Sequence, residues 1–311
     1  MKSMIIYYSQ TGNTKKIAGA IHKGMSQLVK RCDIALIKDV GPQDLNKYDL
    51  IGLGSPIWHA APPNVINFIN SIPHQQGKHI FSFNTHGALP KFYFPIVVRN
   101  LMERGFTVIG MRDWYASVHI QCFPSPYYTD GHPDGIDLKE AEDFGKEMVE
   151  VSRRISAGET HLIPSVPSEV PRFEATFPDG GNLHSSGRSP HSAIKYSKEK
   201  CTYPKCQICV NNCPMGYIDM SADPPVFGSE KTKCELSCTY CELLCPTGAI
   251  YGDDWEWGLK VLYHNKDYFE RELDEAEAEG RFRRLVSKEK IGWDTPYYKV
   301  HNKRPRFKIL K

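Results

Sequence analysis

Eight of the ten cysteines in this 311-residue chain fall between Cys201 and Cys245, and only Cys32 and Cys122 lie elsewhere. They form two runs, Cys201-x4-Cys206-x2-Cys209-x3-Cys213-Pro214 and Cys234-x3-Cys238-x2-Cys241-x3-Cys245-Pro246. Both continue alike, as C-P-M-G-Y-I and C-P-T-G-A-I, so Gly216 matches Gly248 and Ile218 matches Ile250. This is an internal duplication. A secreted disulfide fold spreads its cysteines through the structure it staples. Thiols packed into one short stretch of a reduced chain read as metal ligands.

The spacing narrows the metal. Three closely spaced cysteines on a tight loop place thiolates on three corners of one cubane, and the fourth, before proline, ligates the other cluster. One cluster then takes Cys201, Cys206, Cys209 and Cys245, and the other Cys234, Cys238, Cys241 and Cys213. Soft thiolates select iron–sulfur or zinc over hard cations. Zinc sites use paired C-x2–4-C knuckles, whereas each group here is a single run of four. The region resembles the bacterial two-cluster ferredoxins over residues 198–252. It departs from their shortest spacing, with extra residues after Cys201 and Cys234.

The first half alternates strand-like and helix-like segments. Strands are expected at Met4–Tyr8, Asp33–Ile37, Leu50–Ser55, His79–Asn84 and within Thr107–Val118. Helices are expected at Thr14–Val29, Val65–Ile69, Phe94–Arg104 and Leu138–Ser156. Such alternation implies an α/β fold with a parallel sheet covered on both faces. Right-handed crossovers make it doubly wound, with five strands. Directly after the first strand come Ser9, Gln10, Thr11, Gly12, Asn13 and Thr14. A helix N-terminus with small polar side chains is an anion site, and Gly12 permits a backbone that a Cβ obstructs. Neither a Walker loop nor a dinucleotide fingerprint fits this run. An ordinary helix cap accounts for one or two of its residues.

The element order and the string Y-S-Q-T-G-N-T resemble the flavodoxin family over residues 1–158. The resemblance implies a flavodoxin-like fold in which Ser9 to Thr14 hold the FMN phosphate. It also implies that the loops after the third and fourth strands flank the flavin ring. Those loops are Ser55, Pro56, Ile57, Trp58 and His59, and Asn84, Thr85, His86 and Gly87. Trp58 is the candidate for stacking on the ring, and reads equally as a half-buried core Trp. His59 and His86 are candidates for hydrogen bonds to flavin edges, and also read as plain surface residues. The segment Cys122–Tyr128 is expected to close over the flavin.

Residues 159–197 are punctuated by Pro164, Pro167, Pro171, Pro178 and Pro190 and read as a linker. Residues 198–252 are a small α+β two-cluster domain, and 253–311 a charged, helical tail. Its stretch Asp267–Lys290 reads as one helix, acidic at its start and basic at its end, in keeping with the helix dipole. Lys299 to Lys311 reads as a docking arm or a frayed end. A net charge of +3 is too small to point to nucleic acid. No run approaches the about 20 apolar residues that span a bilayer, and the N-terminus does not read as a signal peptide. A cytoplasmic protein is expected, with homo-oligomerisation open.

Joined, the two halves resemble the flavodoxin–ferredoxin fusions of anaerobic bacteria and archaea. That resemblance implies an electron carrier with FMN, two [4Fe-4S] clusters and protein redox partners. An FMN-dependent reductase of a quinone or small molecule is one alternative, and a redox-sensing or assembly subunit another.

Overall fold

The computed structural model describes residues 1–57, 61–88, 93–166, 176–180, 194–223, 225–227, 238–252 and 255–300. The chain divides into two compact units, Met1–Ser117 with Gly131–Pro171, and Val118–Asp130 with Arg172–Lys311.

In the first unit β1 (Lys2–Tyr7), β2 (Arg31–Leu36), β3 (Leu50–Pro56), β4 (His79–His86) and β5 (Thr107–Tyr115) form one sheet in the order β2-β1-β3-β4-β5. All its pairings are parallel. Alternation along each strand sends side chains to opposite faces. Met4, Ile6, Ile51, Leu53 and Ile80 pack on one face beneath α2 (Pro63–Ser71) and α3 (Tyr93–Glu103). Ile5, Tyr7, Leu50, Phe81 and Phe83 pack on the other beneath α1 (Asn13–Ser26) and α4 (Gly135–Ser156). Burying each such side chain is worth roughly 1.5–3 kcal/mol.

The alternation in L-I-G-L-G-S has a direct cause. A Cβ on Gly52 would stand 2.4 Å from Phe81 Cζ, and one on Gly54 2.1 Å from Phe83 Cε2. The two glycines let the Phe rings of β4 lie across β3. Asp134 caps α4 with a capping box: its carboxylate accepts from the N–H of Ile136 and Asp137. The Asp137 side chain accepts from the N–H of Asp134 at 2.7 Å.

With helices on both faces, the topology switches between β1 and β3. Ligands of open α/β sheets bind at that point, outside the carboxyl ends of the strands. The loop from Ser9 to Gly12 and the ends of β3 and β4 all gather there.

In the second unit β6 (Lys195–Tyr196) pairs antiparallel with β9 (Ile250–Tyr251), and β7 (Ile218–Asp219) with β8 (Val226–Phe227). Two five-residue helices, α5 (Ile208–Asn212) and α6 (Tyr240–Leu244), end on Cys213 and Cys245 as their C-caps. Gly216 and Gly248 then sit at φ +66 and +65. Their N–H groups donate to the carbonyls of Cys213 and Cys245 at 3.2 and 3.4 Å. The sequence duplication is therefore also a duplication of local structure.

The tail differs from the reading of one helix over Asp267–Lys290. It holds α7 (Trp255–His264), α8 (Lys266–Ala278) and a short α9 (Tyr297–Val300). The charged helix stops at Ala278 because Gly280 takes φ +72, the left-handed position that closes helices. The tail also binds the segment 118–130. Ser125 N–H donates to the Thr295 carbonyl at 3.0 Å, Tyr297 N–H to Phe123 at 2.8 Å and Gly292 N–H to Pro126 at 2.9 Å. Tyr128 donates its hydroxyl to Glu270 at 2.6 Å. The stretch Cys122–Tyr128, expected over a flavin, thus belongs to the second unit. Lys299 lies in α9, and residues 301–311 lie outside the described residues. Among the described residues no helix is long and apolar enough to cross a membrane.

Candidate functional site

The loop after β1 delivers its residues onto the start of α1. Ser9 Oγ accepts from the N–H of Gly12 at 3.2 Å and of Lys15 at 3.3 Å, which draws the loop into a tight cradle. Gly12 sits at φ +96, and a Cβ there would meet nothing within 4 Å. Glycine therefore serves conformation rather than packing at this position. No acidic residue stands in the first turn of α1, and Lys15 and Lys16 are exposed there. A helix start of this kind favours an anion through its N–H groups and dipole. Gln10 is buried and Thr11 half-buried beside it.

Of the candidates on the neighbouring strands, Thr85 meets this cradle directly. Thr14 Oγ1 lies 2.8 Å from Thr85 Oγ1, joining the start of α1 to the end of β4. Asn13 donates its amide to the Ser117 carbonyl at 2.9 Å, so its side chain is committed to the chain leaving β5. Ser55 donates to the Tyr93 hydroxyl at 2.9 Å, and Ile57 N–H to the Thr85 carbonyl at 3.1 Å after Pro56. Burial pushes the Tyr93 phenol up to about 12, against the hydrogen bonds of Ser55 and Ser82. Trp58 and His59 lie outside the described residues.

His86 lies between two acceptors. Its Nδ1 lies 2.8 Å from the Gly87 carbonyl and its Nε2 2.8 Å from Asp113 Oδ2. A hydrogen bond to a flavin edge would take one of these nitrogens from its partner. Asn84 is the reverse case: it is wholly buried, and among the described residues neither its Nδ2 nor its Oδ1 has a hydrogen-bond partner. Leaving such an amide unpaired costs on the order of 1–3 kcal/mol for each group. A polar ligand at the strand ends fits that unmet demand.

The cysteines form the second site. Cys201, Cys206 and Cys209 line one pocket together with Cys245 from the other run. None of the described cysteines forms a disulfide. Burial pushes the Cys209 thiol up to about 11, and Cys245, Cys206 and Cys201 push it the same way. Soft cysteine sulfurs gathered at one pocket are the donor set that an iron–sulfur cluster takes.

The chain also supplies donors to these sulfurs. Tyr203 N–H reaches Cys201 Sγ at 3.5 Å, and Tyr217 N–H reaches Cys213 Sγ at 3.3 Å. Burial works against the Cys245 thiolate, but hydrogen bonds from Ile250, Thr247 and Ala249 outweigh it and lower its pKa. A hydrogen bond with Cys201 pushes the Tyr196 phenol up to about 12. Cys213, Cys238 and Cys241 are half-buried and do not line this pocket, and Cys234 lies outside the described residues. Cys32 and Cys122 join neither group; burial pushes the Cys32 thiol up to about 12 and raises Cys122 further.

The two sites resemble known proteins separately. The flavodoxin-domain family matches residues 4–104. A ferredoxin of Methanothermococcus thermolithotrophicus is 38% identical over 61 residues, 19% of this chain and 93% of that protein. The cysteine-rich segment belongs to the ferredoxins, and a flavodoxin domain precedes it.

An uncharacterized protein of Methanocaldococcus jannaschii is 28% identical over 156 residues, 48% of this chain and 99% of its own length. A solved flavodoxin from the domain Archaea is 23% identical, with a TM-score of 0.38, covering 49% of this chain and 99% of its own. The flavodoxin domain has the flavodoxin-like order of strands and implies FMN. The ferredoxin segment implies iron–sulfur chemistry. Together they make an electron-transfer protein.

Sequence reasoning missed one cluster of ionisable groups, His132, Asp134 and Asp137. His132 Nδ1 lies 2.6 Å from Asp137 Oδ2. The group is the capping box of α4 and its flanking histidine, so it is explained by the helix it starts.

Proposed function

We propose that this chain carries electrons between FMN and two four-iron clusters held in one polypeptide, and exchanges them with a protein redox partner. The observation that carries the proposal is the meeting of Cys245 with Cys201, Cys206 and Cys209 at one pocket. Crossed ligation of this kind belongs to two-cluster domains rather than to separate metal knuckles. By the same pattern Cys213 joins Cys234, Cys238 and Cys241.

FMN accepts electrons singly or in pairs, whereas each cluster takes one, so their union converts between the two kinds of traffic. The protein's own contribution is positional. The loop from Ser9 to Thr14 holds the phosphate, Thr85 braces that loop, and Asn84 offers its amide to the ring-side ligand. Residues 1–158 carry the flavin and 198–252 the clusters, with 159–197 joining them and 253–311 as a tail. Thiolate-held clusters suit the reducing cytoplasm. The reductase alternative needs a proton donor facing the ring; of its two candidates, His86 has both nitrogens against protein acceptors, the Gly87 carbonyl and Asp113, and His59 lies outside the described residues.

Rapid mixing of the anaerobic protein with less than one equivalent of dithionite tests this. Flavin and cluster absorbance are followed separately after the reductant is spent. The proposal expects electrons to redistribute between the chromophores at a rate independent of protein concentration. A rate proportional to protein concentration would mean that transfer needs two molecules, and the internal relay would be wrong.

A further inference from the structure

Each run's fourth cysteine is followed by Pro-X-Gly, and X differs: Met215 in the first run, Thr247 in the second. The backbones around the two cysteines are alike. Cys213 has φ −63 and ψ 118, Cys245 φ −66 and ψ 110, each capping a five-residue helix. Thr247 Oγ1 lies 3.7 Å from Cys245 Sγ and lines the pocket of the first three cysteines. Ligand sulfur is a thiolate, which carries no hydrogen, so the hydroxyl is the donor. A methionine thioether has no hydrogen to give. Among the described residues, the donor to the Cys213 sulfur is the backbone N–H of Tyr217.

We propose that Thr247 sets the two clusters apart in potential. Its hydroxyl donates to the Cys245 sulfur and makes the cluster of Cys201, Cys206, Cys209 and Cys245 the easier one to reduce. The inference rests on the crossed two-cluster reading above. Reduction adds one electron and hence negative charge to a cluster and its sulfurs. A fixed donor stabilises that charge more in the reduced form, which raises the potential; hydrogen bonds to sulfur are one of the levers that set it. No proton is transferred, and the hydroxyl hydrogen stays on Thr247. The second run of sequence thus tunes the cluster of the first. An electron passing through the pair comes to rest on the cluster beside Thr247.

An EPR-monitored redox titration of the anaerobic holoprotein tests this, with Thr247→Val, Thr247→Ser and Met215→Thr beside the wild type. Thr247→Val should lower one of the two midpoint potentials, by up to about tenfold in the reduction equilibrium, or about 59 mV for a one-electron couple. Thr247→Ser should hold that potential near the wild-type value. Met215→Thr should raise the other one. Unchanged potentials in a fully loaded Thr247→Val protein would overturn the proposal, as would Thr247→Val and Met215→Thr acting on the same cluster. Should Thr247→Val fail to load, Met215→Thr still decides, because it adds a donor without removing one. A wild-type protein with fewer than two clusters would instead bring down the two-cluster reading itself.

Discussion

Cys213→Ala should strip the protein of about half its iron, and the lost cluster should be the one built on Cys234, Cys238 and Cys241. Cys213 sits at the end of α5, four residues beyond Cys209, and a purely local site would recruit it there. The pocket of Cys201, Cys206 and Cys209 takes its fourth thiol from Cys245 instead. Removing Cys213 therefore leaves that pocket's ligands in place and opens a corner of the other cluster. Cys245→Ala is the mirror experiment and should remove the opposite cluster. Iron analysis with EPR of each reduced variant distinguishes them, because the surviving signal should differ between the two. If both variants keep the same signal, or if Cys213→Ala removes the cluster of its own neighbours, the crossed arrangement is wrong.

Gly12→Val should weaken FMN binding while sparing the fold. At φ +96 and ψ −11 the residue lies where a β-branched side chain is strained. The left-handed region costs an L-residue roughly 1–2 kcal/mol even at its best. The Cβ itself would touch nothing within 4 Å, so the sheet and helices have no reason to shift. The strain falls on the loop that gathers Ser9 and the first amides of α1. Affinity should drop by at least about tenfold, which is what about 1.4 kcal/mol is worth. Quenching of FMN fluorescence on titrating the apoprotein measures the affinity, and far-UV circular dichroism checks the fold. Wild-type affinity in the variant would show that the loop does not hold the phosphate.

Much of this architecture was legible in the sequence because it is written locally. The central strands read as continuous apolar runs since both of their faces are covered, as Ile5, Ile51 and Phe81 show at 0% exposure. Gly12 announced the tight turn between β1 and α1. The proline after each fourth cysteine reads as freeing that residue from its own run, and in the structure Cys245 lines one pocket with Cys201.

What was not legible depends on partners distant in sequence. The segment 118–130 follows β5 and so reads as part of the first unit, yet it groups with the second. Its hydrogen bonds come from residues such as Thr295, 170 positions away, which no local pattern reveals. The charged stretch after Asp267 has helical composition throughout, and its end at Ala278 is set by Gly280, a signal that the run of charges obscured. The engagement of both His86 nitrogens needed Asp113 from the adjacent strand. Asn84 reads in sequence as one more polar loop residue, and only the structure shows it buried with no hydrogen-bond partner among the described residues.

Quantifying iron, acid-labile sulfide, zinc and flavin in protein purified without oxygen tests the central claim most directly. The account predicts about eight irons and as many sulfides per chain, with about one FMN released on denaturation. Zinc in place of iron, in a protein without flavin, would contradict it.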